Sequence, residues 1–566
     1  MSVLRGGQRV STAGSPGRQV DVAIVGSGFA GSILARALRA GGLEVALLER
    51  GRHPRFALGE STTPLANLAL ERLAVRYELP DLWELAAHGR WLESFPGLRR
   101  GLKRGFTFYR QPTGRRHRGS RSERLLVAAS PNDEVADTHW LRADVDAHLV
   151  KRAQTEGVLY RDGVEVELLE LDEGGGEIAV SSGGVGGGPN EDLRLRCRFL
   201  VDASGAGGFL ARALELPLHP APMRFASRLV FAHFDGVPRF AEVEPEAGSG
   251  DPYPPDRAAV HHLLDVGWMY QLRFDDESIS AGLLVDPQRA AALGLELPWD
   301  DPGSVWSILV SRHPSLERQL RWARPRREIA ASPGAVQRRL ARGAGARWAM
   351  LPQAYASFDA LFSTGMAWSL VAVERLAAAL CAMARSGSSA GELPGVREYE
   401  RRLSLEADQL ERLLTLGYRH LDDFERFVES SLLYFALASF AETRQRLLEP
   451  AGEPSCRVDG LDPAWAWEGF LSALDPVGVE LLERACRLAS GPSAPDVDSY
   501  RSWIRSAIAP RNVAGLGDPT RHPLYPVDPE AMIAAAGQLG IERAEARRLL
   551  PRLLSPRRFP AVTTRP

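Results

Sequence analysis

The feature that most constrains this chain is the turn Gly26-Ser27-Gly28-Phe29-Ala30-Gly31. It follows the short apolar run Val20 to Val25 and precedes a segment, Ser32 to Ala40, of helical propensity stopped by Gly41-Gly42. The run is too short for a helix and ends in a glycine, so it reads as a buried parallel strand. Glu44 to Leu48 reads as a second strand, which completes a β-α-β unit. Three glycines at this spacing have separate uses: Gly26 for the tight turn, Gly28 for close approach of a pyrophosphate, Gly31 for helix–strand packing. Glu49 stands at the end of the second strand, at the spacing of an acid that binds an adenosine ribose. The helix N-terminus beyond Gly28 offers free N–H groups and a positive dipole end to phosphate. Dinucleotide binding is therefore the first expectation.

Composition limits the alternatives. The 566 residues suggest two to four structural units, and 45% hydrophobic with 25% charged residues is ordinary for a folded globular chain. A net charge of −2 argues against a dedicated nucleic-acid binder. The four cysteines, Cys197, Cys381, Cys456 and Cys486, are far apart and fit a reducing compartment rather than a disulfide framework. The polar residues 1–19 read as a disordered tail without the apolar core of a secretory signal. Gly365 to Ala384 is apolar but holds Glu374 and Arg375, so it reads as a buried helix, not a membrane span. A cytoplasmic protein is expected. Of the 69 basic residues 67 are Arg and only two, Lys103 and Lys151, are Lys. A GC-rich genome accounts for the bias, yet a lysine kept in such a chain hints at a place where a compact ammonium with a shiftable pKa is needed.

Further along, Ala143 to Glu156 reads as an amphipathic helix, followed by strands at Val158 to Arg161, Val164 to Leu169, Glu177 to Val180 and Leu193 to Val201, with Ser181 to Asp192 as a surface turn. Ser227 to Phe234 and Gly267 to Phe274 belong to an antiparallel sheet. Arg401 to Leu448 reads as one helix with a core-facing apolar stripe that Gly417 breaks or bends. The expected division is a tail (1–19), a Rossmann-like dinucleotide-binding domain (20–222 with 340–394), a β-rich substrate domain (223–339) and a helical C-terminal region (395–566). Arg99 to Arg124 carries ten basic side chains and one acid, Glu123. It reads first as a solvated loop, and second as a docking patch for an anionic substrate or acidic carrier protein. His261-His262 lacks the accompanying ligands of a metal site and reads as strand residues; no metal is expected. Phe424, Phe427, Tyr434, Phe435 and Phe440 read as core. Ala509 to Pro526 reads as an ordered loop packing on the catalytic domain.

Two segments favour FAD over NAD. Phe199 to Gly205 (FLVDASG) is a strand ending in Asp202-x-x-Gly205, and Phe358 to Gly365 (FDALFSTG) precedes a long helix whose N-terminus would favour negative charge on a reduced flavin. In this order, with Gly59-Glu60-Ser61-Thr62-Thr63-Pro64, Gly101 to Phe108 (GLKRGFTF) and Gly267-Trp268-Met269-Tyr270-Gln271-Leu272-Arg273, the chain resembles the flavin-dependent halogenases over roughly residues 20–390. These are a branch of the FAD monooxygenase-like flavoproteins, with a glutathione-reductase or p-hydroxybenzoate-hydroxylase type of α/β fold. The resemblance implies FAD contacts at Gly26, Gly28, Ala30, Gly31, Glu49, Ser61, Arg142, Asp202, Asp359 and Gly365. It implies halide binding at Ser363, Thr364 and Gly365, and substrate-side positions at Trp268, Tyr270 and Phe362. Lys103 is the implied catalytic lysine, reached by hypohalous acid through an internal tunnel; it acts as hydrogen-bond donor or as haloamine. Partners implied are a separate flavin reductase that supplies FADH2, O2, halide, and an aromatic substrate, free or tethered to a carrier protein, in secondary metabolism. Tyr270 and Arg273 depart from the family's GWxWxIP segment, which leaves hydroxylation open. Ala360 replaces the usual Pro. Phe362 stands where tryptophan halogenases place a catalytic Glu, so a phenol, pyrrole or other self-activated ring is expected instead of tryptophan. The alternatives are a flavin monooxygenase or oxidase on the same fold, and a catalytically silent flavoprotein that binds a partner through its helical end.

Overall fold

A computed structural model describes residues 18–182, 193–245, 250–386, 393–448, 475–490, 495–555 and 559. The expected tail, most of the Ser181 to Asp192 turn, and Cys456 lie outside them.

The first strand, Arg18–Val25, sits in the middle of an eight-stranded sheet. It pairs in parallel with Val45–Leu48 on one side and Leu193–Asp202 on the other. Leu159–Arg161 and Trp348–Met350 extend the parallel set at its two ends. Strands buried on both faces must be apolar throughout, and Val22, Ala23, Ile24, Leu47 and Leu200 are all 0% exposed. One face is covered by the helix Phe29–Ala40, which packs on the helices Arg142–Thr155 and Thr364–Ser386. The Thr364–Ser386 helix passes the length and hydropathy test of a membrane span, but 94% of that window is buried inside the protein. Glu374 in it is paired with Arg72, and Arg375 with Glu406, which answers how charges are tolerated there.

The second sheet has nine strands, centred on Arg228–Asp235, Ile279–Val285, Gly267–Arg273 and Ala259–Leu263, antiparallel to one another in that order. It does not stop at the 223–339 segment. Gly105–Arg110 joins it in parallel beside Ala259–Leu263, then Arg124–Ala128, and finally Leu524–Tyr525 from the C-terminal part. Thus the stretch from Arg99 to Arg124 is not a solvated loop. It contains the strands Arg100–Lys103 and Gly105–Arg110, and its arginines meet acids from elsewhere: Arg99 with Asp144, Arg104 with Asp133, Arg116 with Glu244, Arg124 with Asp251. Local sequence shows the positive charge; the acids that offset it come from up to 177 residues away.

Where one long helix was expected after residue 400 there are two, Pro394–Arg419 and Phe424–Leu448. The break falls at residues 420–423, and Gly417 lies within the first helix. Its lack of a side chain serves packing: a Cβ there would come 2.7 Å from a Leu361 methyl. His261 and His262 are strand residues, opposite Tyr270 and Met269. Among the described residues no group of His, Cys, Asp and Glu could hold a metal ion.

Candidate active site

At the turn after the first strand, Gly26 has φ +110°, and a Cβ there would stand 2.4 Å from the Ala203 carbonyl oxygen. Gly31 is equally constrained, with a Cβ 2.1 Å from the Gly26 oxygen. Gly28 is different. It caps the helix Phe29–Ala40 in extended geometry without a side-chain hydrogen bond. The nearest atoms to a Cβ there are the guanidinium tips of Arg142 at 3.4 Å and Arg55 at 3.8 Å. The helix N-terminus and two guanidiniums therefore converge over Gly28 on one small, half-buried spot, a combination suited to an anionic group. Ala30 is half-buried beside it.

Arg142 is held by Asp146 through two bonds of 2.8 Å and donates to the carbonyls of Leu58 and Gly59. It thus ties the Gly59-Glu60-Ser61 loop to the glycine turn. Ser61 is buried, and its Oγ lacks a hydrogen-bond partner. Glu49 accepts from the Ser27 backbone N–H at 2.9 Å and from Gly51 N–H at 2.8 Å, with Arg55 at 3.1 Å. Burial pushes its carboxyl up, but Arg55 and these donors outweigh it and hold the group below its usual range. Asp202 spends its oxygens on Ser204 and the Leu210 N–H, which shapes the loop under the turn. Arg55 and His53, whose ring lies 2.8 Å from Ser27 Oγ, belong to this site although no motif marks them.

The distal segment holds Asp359. Its carboxylate is buried and accepts from Trp268 Nε1 at 3.1 Å, Ser227 Oγ at 2.8 Å, Tyr418 Oη at 2.5 Å and the Leu361 N–H at 3.0 Å. With four protein donors its carboxylate anchors Trp268. Burial still pushes it up to about 6, against these donors. Tyr418→Phe removes one of them from a fully buried acid and is expected to cost about 1–3 kcal/mol in urea unfolding; an unchanged midpoint would show the network to be dispensable. Ser363 adopts φ +53° and Thr364 begins the long helix, with Gly365 next. Phe362 is 1% exposed, and its carbonyl accepts from Tyr434 Oη at 3.0 Å. The Trp268 ring stacks on His261 at 5.2 Å. The Tyr270 ring occupies the space that a side chain at Gly282 would fill.

Lys103 is 0% exposed. Its Nζ donates to the Thr62 carbonyl at 2.6 Å and lies 4.2 Å from the centre of the Phe106 ring. Burial lowers the ammonium to about 8, opposed by Asp137, its cross-strand neighbour on Asp137–Trp140. Burial and this ammonium push the neighbouring His139 and His261 down to about 3, so both rings are neutral. The other lysine, Lys151, is on the surface of the helix Arg142–Thr155. A cavity of about 200 Å³ is lined by Thr63, Phe106 and Asp137 around the amine, by Thr364 at the head of the long helix, and by Tyr434 and Phe435 from Phe424–Leu448. Val513, Pro526 and Met532 close its far side. The segment Ala509 to Pro526 does pack on the catalytic part, and the C-terminal helices supply part of the cavity wall. Sequence periodicity marked Tyr434 and Phe435 as core, and both are buried; that they also face a cavity depends on long-range packing.

The family model of the NAD(P)-binding Rossmann-like domain matches residues 24–71, the β-α-β unit and the loop after it. The chain is 26% identical over 556 residues to tetracycline 7-halogenase of Kitasatospora aureofaciens, covering 94% of this chain and 95% of that one. It is 26% identical over 369 residues to monodechloroaminopyrrolnitrin halogenase PrnC of Pseudomonas fluorescens, 64% of this chain and 61% of that one. The crystal structure of halogenase PltM in complex with phloroglucinol and FAD superposes with a TM-score of 0.77 at 22% identity, covering 87% of this chain and 96% of that one. The similarity to a curated halogenase runs through nearly the whole chain, and the Rossmann-like architecture is shared with a halogenase solved with FAD, so what this protein resembles throughout is the flavin-dependent halogenases.

Proposed function

We propose that the chain uses FADH2 from a separate reductase, O2 and halide to halogenate an electron-rich aromatic ring of the phenol or pyrrole kind, with Lys103 as the catalytic amine. The observation that carries the reading is a cavity whose lining joins Thr364 to Thr63, Phe106 and Asp137, the neighbours of a wholly buried lysine that stands just behind that lining.

The residues present fit FAD. A pyrophosphate suits Gly28 with Arg142 and Arg55 beside it; a ribose suits Glu49 and the loop at Ser61, whose Oγ is buried and unpartnered. The match to an NAD(P)-binding family model agrees with this, since the β-α-β unit it describes serves either dinucleotide. When bound, reduced FAD supplies the electrons with which O2 and halide become hypohalous acid. Ser363, Thr364 and Gly365 offer a halide the N-terminal N–H groups of the long helix. Asp359 serves indirectly, by fixing Trp268. Phe106, Tyr434 and Phe435 give the cavity an apolar, aromatic lining that suits a flat ring. Lys103 donates a proton or hydrogen bond to the hypohalous oxygen, which leaves the halogen electron-poor. A substrate tethered to a carrier protein is a second form of the same reading, favoured by similarity to a pyrrole-2-carbonyl-carrier-protein brominase over 39% of this chain.

The test is product analysis with reductase, bromide and a panel of phenols and pyrroles. Bromide-dependent brominated product is expected; none across the panel would overturn the proposal. The form of Lys103 sets a second expectation. Its bond to a carbonyl and its place over a ring both favour the ammonium. Halogenation therefore falls as pH rises through about 8, where that proton is lost. A rate that goes on climbing above about 8 would mean that the free amine, and thus the haloamine, is the working form.

A further inference from the structure

We propose that Asp137 is a second catalytic residue, the acceptor of the ring proton at the site where Lys103 delivers the halogen; this rests on the halogenation reading above. The two residues are direct partners on adjacent antiparallel strands, so their side chains share a face. Both are buried, at 2% and 0% exposure. Yet they are not joined: the ammonium donates to the Thr62 carbonyl, while Asp137 accepts at Oδ1 from Asn67 Nδ2 at 2.7 Å and leaves Oδ2 without a partner. A buried carboxylate oxygen in that state is costly unless something is meant to meet it.

The other acids on the cavity wall are already engaged. Glu71 accepts from Arg90 at 2.6 Å and from Arg446 at 2.7 Å. Glu442 pairs with Arg446, and Asp528 with Arg521 and the N–H groups of the helix it caps. Among these acids Asp137 alone has an oxygen that is both buried and without a partner.

The step balances as follows. The ring π pair forms the carbon–halogen bond to hypohalous acid, and the halogen–oxygen pair goes to oxygen, which takes a proton from Lys103 and leaves as water. The ring C–H bond breaks, its electron pair restores aromaticity, and its proton goes to Asp137. Asp137 then returns a proton to the Lys103 amine across the strand pair. Ring plus hypohalous acid become haloarene plus water, and both side chains are restored. A small cost of return is expected because burial draws the two groups together, raising the carboxyl and lowering the ammonium.

The test uses the holoenzyme with bromide and the panel ring that wild type turns over best, in ring-deuterated and unlabelled forms. Asp137→Asn should lower kcat by about 100-fold, within the usual range for loss of a general base. It should also make C–H cleavage rate-limiting, so that a primary deuterium isotope effect appears that wild type lacks. Asp137→Glu should recover part of the rate. Flavin content and the unfolding midpoint report whether each variant is folded. A folded Asp137→Asn enzyme with near-wild-type kcat, or a slowed one with no isotope effect, would overturn the proposal, the latter leaving Asp137 only to position Lys103. Absence of brominated product from wild type would instead be a failure of the functional reading itself.

Discussion

Lys103→Met loses halogenated product by about 10³-fold or more while the protein stays folded and keeps its flavin, as expected where one group supplies both proton and orientation. The fold should survive because burial of the ammonium is itself unfavourable, so an apolar side chain of similar length relieves desolvation in exchange for one hydrogen bond to Thr62. Flavin should stay because Lys103 bonds the loop at Ser61 only through the Thr62 carbonyl, and that loop is also held to the glycine turn by Arg142. Lys103→Arg should not rescue. A fully enclosed site built for one ammonium must admit a larger planar group, and a guanidinium gives up its proton far less readily. Product mass spectrometry with flavin absorbance on the same sample reads both halves of the prediction. Retained halogenation in a folded, flavin-loaded Lys103→Met enzyme would remove the lysine from the chemistry.

Gly28→Val gives the opposite separation: flavin is lost and the fold remains. Gly28 has φ −65°, which any residue adopts, and the nearest atoms to its missing Cβ are side-chain ends, of Arg142 at 3.4 Å, Arg55 at 3.8 Å and Asp146 at 3.9 Å, not backbone. The polypeptide can therefore accept a side chain, while a group docked on the helix N-terminus cannot. FAD affinity should fall by about 100-fold or more, each tenfold being about 1.4 kcal/mol of lost contact. Equilibrium dialysis of reconstituted protein measures it. Gly26→Val is the contrast, since a Cβ there meets the Ala203 carbonyl at 2.4 Å under a φ of +110°; it should lower the yield of folded protein, with or without flavin. Equal damage from both variants would mean that Gly28 serves packing like its neighbour.

The sequence carried the nucleotide half of this molecule well because its signals are local. Three glycines, a strand, a helix and an acid lie within residues 20–49, and each has a backbone reason for its identity. Lys103 was legible for another reason: in a chain that uses Arg almost throughout, a lysine flanked by the right neighbours stands out. Its burial was not legible, since the basic residues around it suggested solvent. The acids that offset Arg99, Arg104, Arg116 and Arg124 come from distant segments, and only pairing of strands brings them there. Asp137 had no motif at all. Its importance follows from register, one residue in Asp137–Trp140 placed opposite one in Arg100–Lys103. Asp359 stands out by its motif, but its hydrogen-bond network does not, because Tyr418 and Ser227, which donate to its carboxylate, are separated from it by 59 and 132 residues. The wall formed by Tyr434, Phe435 and the 513–532 segment was hidden in the same way, as residues patterned for a core that also face a cavity.

The central claim is that this protein passes a halogen, not oxygen, to its substrate at Lys103. The most direct measurement is a single turnover series with heavy-oxygen-labelled O2 and bromide, followed by mass spectrometry of the aromatic product. The account predicts bromine in the ring, no labelled oxygen there, and the label recovered in water. Labelled oxygen in the ring with no need for bromide would contradict it and make the protein a monooxygenase on the same fold.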